Sequence, residues 1–207
     1  MQGVNSLFYF LVLILSIMVH EVAHGLVAEQ EGDPTARLLG RITLNPLKHI
    51  DWFGSILLPL LLILGNTGLV VGWAKPVPYN PNNMKRGNKS IARVAIAGIV
   101  VNLGIAIFFG LLIRGAMKLH ITGQAVIDGA SVIVLINIVL ALFNAIPLAP
   151  LDGFRFFAAI LPSRYAPFFR TVERYSLPLL ILFVVLGWRV VAPLAFTLYT
   201  LLTGIAV

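Results

Sequence analysis

Two histidines and a glutamate near the start of the sequence have the spacing of a metal-binding motif. The run H-E-V-A-H occupies residues 20–24, at the end of an apolar stretch that begins at about residue 4. On a helix, residues four positions apart share one face, so His20 and His24 can reach the same ion. Glu21 lies beside them and can take a proton from a metal-bound water. We therefore predict that both histidines bind a metal and that Glu21 is a general base.

A catalytic site of this kind needs a further ligand. Catalytic zinc usually takes three protein ligands and keeps one position open for water. The chain has no cysteine, so the third ligand must be a histidine or a carboxylate. His49 is one candidate, although its place in a loop beside Lys48 favours a position at the membrane interface. His120 is expected on the opposite side of the membrane.

Asp152 is the stronger candidate, because the chain breaks just before it. Pro147 and Pro150 remove backbone donors and end the preceding apolar helix. The predicted topology brings this helix end to the same side of the membrane as the H-E-x-x-H motif. Its carboxylate would complete a set of two histidines and one carboxylate, which catalytic zinc sites use. The alternative is that Asp152 caps the following turn or pairs with Arg155.

The composition places these residues in a membrane protein. Of the 207 residues, 59% are hydrophobic and 11% are charged, whereas soluble domains average about 45–50% apolar and about 25% charged residues. These values exclude an ordinary soluble enzyme and a disordered chain. The net charge of +7 comes from basic residues in loops between apolar runs. That placement favours contact with anionic headgroups of the lipid bilayer over binding of nucleic acid.

The apolar runs predict an all-α polytopic membrane protein with about four to six transmembrane or re-entrant helices. The runs lie at about residues 4–28, 52–72, 90–118, 129–147 and 176–207. We expect one membrane-embedded domain over residues 1–207, with its core at 5–160 and a C-terminal helical segment at 175–207. Partial alternation of apolar and polar residues at 36–44 also permits a short β-hairpin near the site.

The charge difference between loops predicts the orientation of the chain. Basic residues are concentrated at 29–51, 73–93 and 151–175, whereas the connector at 114–128 has only two of them. Loops rich in Lys and Arg stay in the cytoplasm. We therefore expect the three basic stretches, and the metal site near them, on the cytoplasmic side of the cell membrane. A full crossing at 52–72 would place 73–93 outside, so we predict that 52–72 is re-entrant.

Several segments resemble the site-2 protease family of intramembrane zinc metalloproteases, in its compact prokaryotic branch without PDZ or CBS domains. H-E-x-x-H in an apolar helix is joined by N-A-I-P-L-A-P-L-D-G at 144–153. The segment A-G-I-V-V-N at 97–102 matches the family's Gly-x-x-x-Asn signature but lacks the proline that often follows the glycine. Supporting similarity lies at 32–36, 40–51 and 72–78. The resemblance covers about residues 5–160.

The resemblance implies a zinc endopeptidase with one Zn²⁺ per chain, bound by His20, His24 and Asp152. Glu21 would act as base on the zinc-bound water and then as acid to the leaving amine. The substrate would be a transmembrane protein, cut within or near a membrane helix, as in regulated intramembrane proteolysis. That helix must unwind locally, and the 36–45 segment of this chain would then pair with it by edge addition.

Two of the three asparagines considered in the apolar helices, Asn102 and Asn144, are further candidates. In the family, the residues that match Asn102 and Asn144 lie near the active site, where a side-chain amide can bind substrate backbone or stabilise the transition-state oxygen. The alternative is helix–helix hydrogen bonding, which asparagines often provide in membranes. Asn137 lies in no matching motif, and we expect it to form a hydrogen bond between helices.

The candidate site residues also fit two other classes of protein. A divalent-cation transporter could use His20, Glu21, His24 and Asp152 as transit ligands, but transport needs no general base. A catalytically inactive membrane scaffold would have no need of an intact Glu21. The sequence leaves open which membrane protein is the substrate and whether copies of the chain assemble into a homo-oligomer.

Overall fold

The structure, a computed structural model, describes residues 6–57, 60–61, 64, 75–120 and 123–206. The described α-helices are α1 (Ser6–Gln30), α2 (Thr35–Leu38), α3 (Asn88–Lys118), α4 (Gln124–Asn144), α5 (Asp152–Ile160), α6 (Ala166–Arg174), α7 (Ser176–Leu186) and α8 (Trp188–Thr203). Short single-turn helices lie at Pro46–Lys48, Pro81–Asn83 and Ser163–Tyr165, and a wider helical turn lies at Trp52–Leu57. The prediction that 52–72 is re-entrant lies largely outside the described residues.

Three of the described helices are long and apolar enough to cross a membrane. They are α1, α3 and α4, with 25, 31 and 21 residues, against about 20 residues needed for a crossing. The helices α7 and α8 meet at a bend of 59° and make a fourth crossing if they are counted as one. The prediction of a helical, multi-spanning membrane protein is therefore confirmed.

The core lies where α8 packs against α3 and α4. Its buried residues are Ala106, Ile113, Val134, Ile138, Ala195 and Tyr199. Gly110 allows this approach, because a Cβ added there would lie 2.8 Å from the Cβ of Leu202. The hydroxyl of Tyr199 donates to the hydroxyl of Ser131 at 2.8 Å, which adds a polar link between α8 and α4. Small residues and interhelical hydrogen bonds of this kind are what hold membrane helices together.

The prediction of a β-hairpin at 36–44 is wrong. These nine residues are all described, and they form most of α2 followed by turns, without a strand. Ala36 is fully buried, and its carbonyl accepts from the backbone N–H of Arg41 at 2.9 Å. The guanidinium of Arg41 donates to the carbonyls of Lys75 at 2.9 Å and Pro76 at 3.2 Å. These bonds fold the segment back on itself, so the apolar–polar alternation does not produce an extended edge.

The turn after α1 is held by one buried carboxylate. Asp33 accepts from the backbone N–H of Asn80 at 2.6 Å, from the side-chain amide of Asn83 at 2.8 Å, and from the hydroxyl of Thr35. Burial opposes ionisation of Asp33, but these hydrogen bonds outweigh it and lower the pKa of its carboxyl below the usual range. The turn is thereby fixed to the segment that precedes α3.

Glu31 makes a second link between the end of α1 and the start of α3. Its carboxylate accepts from the hydroxyl of Ser90 at 2.6 Å and from the guanidinium of Arg93 at 2.8 Å. Hydrogen bonds from these two residues lower the pKa of Glu31. The two helices that border the candidate site are therefore held together at the same end.

Candidate metal centre

One face of α1 carries the two motif histidines into the protein interior. Ser16, His20, His24 and Ala28 are all buried, and each is four residues from the next. This spacing places them in one row along the helix. The imidazole rings of His20 and His24 meet edge to face, with ring centroids 4.7 Å apart. The pairing of the two histidines on one face is as the sequence predicts.

Asp152 reaches both histidines from the start of α5. Its Oδ2 lies 2.9 Å from Nε2 of His20 and 3.1 Å from Nε2 of His24. The three side chains are 5%, 6% and 7% exposed for His20, His24 and Asp152. Arg155, the alternative partner of Asp152, instead lies over the ring of Tyr79, with its Cζ 5.8 Å from the ring centroid.

The donor set fits a zinc ion. Its candidate ligand atoms, one per residue, all lie within 4.8 Å of one another. Ligand atoms around a tetrahedral zinc are about 3.3 Å apart, and Oδ2 of Asp152 lies within a few tenths of an ångström of that spacing from both Nε2 atoms, at 2.9 and 3.1 Å. A buried carboxylate and two imidazoles is also a donor set that catalytic zinc prefers. A cation bound between the two Nε2 atoms and the carboxylate would explain why both imidazoles direct Nε2 at the same buried oxygen.

The tautomer of His24 is set by the backbone of α3. Nδ1 of His24 donates to the carbonyl of Val94 at 2.7 Å. A proton on Nδ1 leaves the lone pair on Nε2, which is the nitrogen that faces Asp152. Metal-binding histidines usually have such a partner for the other ring nitrogen, which fixes the ring and raises its basicity.

Gly98 lets α3 pass directly over the ring of His20. A Cβ added at Gly98 would lie 2.6 Å from Nδ1 of His20 and 2.5 Å from its Nε2. No side chain larger than hydrogen fits at that distance. The glycine of the Gly-x-x-x-Asn segment is therefore required for the position of the His20 ring, and not only for packing between helices.

Gly153 has a comparable role behind Asp152. A Cβ added there would lie 2.5 Å from the carbonyl oxygen of Ile146. The chain turns back tightly on the end of α4 at this point, and the turn brings Asp152 to the histidines. This contact explains why a glycine directly follows the aspartate.

Glu21 lies outside the ligand set and is partly exposed. Its Oε2 accepts from the backbone N–H of Val77 at 2.9 Å. Gly25, one turn later on α1, admits Val77, since a Cβ at Gly25 would lie 2.9 Å from Cγ1 of Val77. Arg41 holds the carbonyls of the two residues before Val77. The segment 75–80 therefore lies against α1 and orients the glutamate beside the histidines.

The other two histidines do not join the centre. His49 is buried, and its Nε2 lies 2.8 Å from the carbonyl oxygen of Thr43. His120 comes just after the C-terminal end of α3, whereas Gly98 lies in the first half of that helix. The φ of His120 is 55°. Among the described residues, the group of side chains that could hold a metal ion consists of His20, His24 and Asp152.

The three asparagines differ in their surroundings. Asn137 donates to the hydroxyl of Ser16 at 2.9 Å, which is the interhelical hydrogen bond that the sequence predicts. Asn144 is partly exposed at the end of α4 and donates to the carbonyl of Leu140, in its own helix, at 3.0 Å. Asn102 is 0% exposed. That Asn102 and Asn144 bind substrate stays a prediction.

Sequence reasoning missed the backbone groups that orient the site. The carbonyl of Val94 and the amide of Val77 contact His24 and Glu21, but a backbone group leaves no signature in the residue type. The role of Arg41 was also missed, although a charged residue between Gly40 and Ile42 is a signal in the sequence.

Three relatives are named as zinc metalloproteases. "Putative zinc metalloprotease YwhC" of Bacillus subtilis (strain 168) is 39% identical over 189 residues, which cover 88% of this chain and 83% of the relative. Rip2 of Mycolicibacterium smegmatis, named in the same words, is 31% identical over 143 residues. "Zinc metalloprotease MJ0392" of Methanocaldococcus jannaschii is 27% identical over 164 residues. These matches identify the chain as a metalloprotease and zinc as its cofactor.

The extent of each match differs. The Rip2 match covers 68% of this chain and 52% of the relative, and the MJ0392 match covers 78% and 37%. This chain thus spans about half the length of Rip2 and less of MJ0392. No family model matches the chain. No solved structure matches it either.

The contact between Gly98 and His20 predicts that Gly98→Ala weakens zinc binding by about 10–100-fold, the range found when groups that orient a ligand are lost. The added methyl group must displace the ring of His20. Gly104→Ala is the matched control on the same helix, since a Cβ there meets nothing within 4 Å. Zinc affinity of the purified variants, measured by competition with a chelator, checks this. Equal affinity in the two variants would contradict the role of Gly98.

Proposed function

The chain belongs to the site-2 protease family of zinc metalloproteases, and we propose that it is an intramembrane endopeptidase. It hydrolyses a peptide bond within or near a transmembrane segment of a membrane protein. The observation that carries this proposal is the convergence of His20, His24 and Asp152 in the buried contact between apolar helices. Charged and polar groups in such a position are costly and usually functional.

His20, His24 and Asp152 are the residues that hold the zinc ion in this proposal. Both imidazoles offer Nε2 and the carboxylate offers Oδ2. Zinc bound there supplies a Lewis acid that polarises the scissile carbonyl and makes water a better nucleophile. The protein contributes the burial of the site, which strengthens electrostatic interactions inside it.

Glu21 moves the proton in this proposal. Its carboxylate takes a proton from the attacking water as the new C–O bond forms, and gives it to the amine nitrogen as the C–N bond breaks. The backbone N–H of Val77 holds Oε2 of Glu21, which leaves Oε1 to accept the proton. A base held by one hydrogen bond in this way keeps its orientation beside the two histidines.

The substrate must enter as an unwound segment, because the hydrogen bonds of an intact membrane helix shield its carbonyl groups. Asn144 lies at the end of α4, a few residues before Asp152, and is partly exposed. Its Nδ2 is held by the carbonyl of Leu140, so its Oδ1 is oriented to accept from a backbone N–H. We therefore assign Asn144 to binding of the unwound substrate backbone.

Two substitutions separate the base from a ligand. We expect Glu21→Gln to keep its zinc but to lower cleavage by at least about 100-fold, the usual contribution of a general base. Asp152→Ala should lose both zinc and cleavage. Glu173→Gln, at an exposed carboxylate on α6, is the matched control and should behave as wild type. Cleavage is measured as new N-termini within transmembrane segments, by sequencing membrane proteins from cells that express each variant.

Two outcomes would contradict the protease proposal. The first is that the same new N-termini persist in the Glu21→Gln variant. The second is that none form with wild type, while wild type and Glu21→Gln both carry divalent cations into vesicles. That second outcome would favour a cation transporter, which needs no general base.

The site opens toward the cytoplasm in this proposal. His24 lies near the end of α1, Gly98 in the first half of α3, and Asp152 just beyond the end of α4. The segment 75–89, which leads into α3 at this same end, carries Lys75, Lys85, Arg86 and Lys89. Loops with this excess of basic residues stay in the cytoplasm.

Labelling of single cysteines tests the orientation, because the natural chain has none. Lys89→Cys and Lys118→Cys lie at opposite ends of α3, and both positions are exposed. An impermeant maleimide added to intact cells should label Lys118→Cys and spare Lys89→Cys. Both should react after the membrane is permeabilised, which serves as the control. If only Lys89→Cys is labelled in intact cells, the chain has the opposite orientation to the one proposed.

A further inference from the structure

The two histidines of the metal centre differ in what holds the ring nitrogen that points away from the carboxylate. Nδ1 of His24 donates to the carbonyl of Val94 at 2.7 Å. Nδ1 of His20 is buried and has no hydrogen-bond partner among the described residues. A metal ligand without such a partner is unusual, and a buried donor without an acceptor is destabilising. A nearby acceptor for this proton is therefore expected.

The side-chain amide of Asn102 also lacks hydrogen-bond partners among the described residues. Its side chain is 0% exposed, and neither its Nδ2 nor its Oδ1 has a hydrogen-bond partner in the described part of the chain. Buried side-chain amides nearly always have at least one partner. Full burial also separates Asn102 from a substrate backbone, which makes a role in substrate binding less direct than the sequence suggests.

The helix geometry brings these two groups together. Gly98 contacts the ring of His20, since a Cβ added at Gly98 would lie 2.6 Å from Nδ1, and Asn102 follows Gly98 by one helical turn on the same face. Side chains of a helix lean toward its N-terminus, so the amide of Asn102 leans back over the turn that contains Gly98. Positions one turn apart are about 5–6 Å apart, a span that a side-chain amide and one water cover together.

Oδ1 of Asn137 is a competing acceptor for the Nδ1 proton of His20. Ser16 precedes His20 by one turn, and its hydroxyl accepts from Nδ2 of Asn137. The Oδ1 of Asn137 has no partner within the described residues. However, Nδ2 of Asn137 is held twice, by Ser16 and by the carbonyl of Ile133 at 2.9 Å. The amide of Asn137 is thus fixed between α1 and α4. The amide of Asn102 has no such hydrogen bond among the described residues.

We propose that Asn102 is a positioning residue for the metal centre, whose Oδ1 accepts the Nδ1 proton of His20 through one ordered water. This bond keeps the tautomer in which Nε2 of His20 is free to bind zinc. The two histidines are then held in different ways by one helix, His24 by a backbone carbonyl and His20 by a side chain. This inference rests on the metal site proposed above.

Zinc affinity of four purified proteins tests the role of Asn102. Asn102→Leu removes the acceptor but keeps the number of side-chain heavy atoms and the branch at Cγ, and it should weaken zinc binding by about 10–100-fold. Asn102→Asp keeps an acceptor oxygen and should bind within about threefold of wild type, as expected when a carboxylate takes the same place beside a metal-binding histidine. Asn137→Leu is the matched control, which removes the competing acceptor and should leave zinc affinity unchanged.

A spectroscopic readout separates positioning from general loss of stability. Cobalt(II) in place of zinc reports ligand geometry through its visible absorption bands. These bands should shift in Asn102→Leu and should match wild type in Asn102→Asp and Asn137→Leu. Wild-type zinc affinity and wild-type cobalt bands in Asn102→Leu would overturn the proposal. So would a loss of affinity in Asn137→Leu that equals the loss in Asn102→Leu.

A second pair of variants applies if Asn102→Leu does not fold. Zinc binding that is weaker in Asn102→Ala than in Asn137→Ala supports the proposal, and equal binding overturns it. Failure of the underlying metal site looks different. If wild type binds no zinc, or if His24→Ala binds it as tightly as wild type, the proposed site itself is wrong. If His24→Ala loses zinc but Asn102→Leu does not, only the role of Asn102 is wrong.

Discussion

A carboxylate buried beside two imidazoles, in a contact between apolar helices, is the constraint on which the rest of this structure depends. An uncompensated charge in that environment is strongly unfavourable. Oδ2 of Asp152 lies 2.9 Å and 3.1 Å from the two Nε2 atoms, and a cation bound between them would satisfy the carboxylate and both imidazole lone pairs at once. Each element near the site can be understood by how it keeps these three side chains together.

The close approach of backbone to side chain follows from that requirement. Gly98 and Gly153 stand where any Cβ would collide with a ligand ring or with the chain behind the ligand. Val94 and Val77 contribute a carbonyl and an amide that orient His24 and Glu21. Backbone groups are suited to this task inside a membrane, because they are fixed by the helix or turn they belong to and lose little freedom on forming the bond.

Much of the site could be predicted from residue types and spacing. The four-residue interval between His20 and His24 places both side chains on one face of a helix. The break at Pro147 and Pro150 predicts where the chain can turn to bring a carboxylate to them. Whether residues 36–44 form a hairpin could not be judged in this way. Their alternating pattern is weak, and the decisive contacts are hydrogen bonds from Arg41 to carbonyls far along the chain. Tertiary contacts of that kind override a local pattern.

X-ray absorption at the zinc edge of the purified, zinc-loaded protein tests the central claim most directly, because it reports the ligands themselves. We predict one zinc per chain with two imidazole nitrogens and the remaining ligands oxygen, all at about 2.0–2.2 Å. A spectrum with fewer than two imidazoles, or a purified protein that holds no zinc at all, would contradict this arrangement.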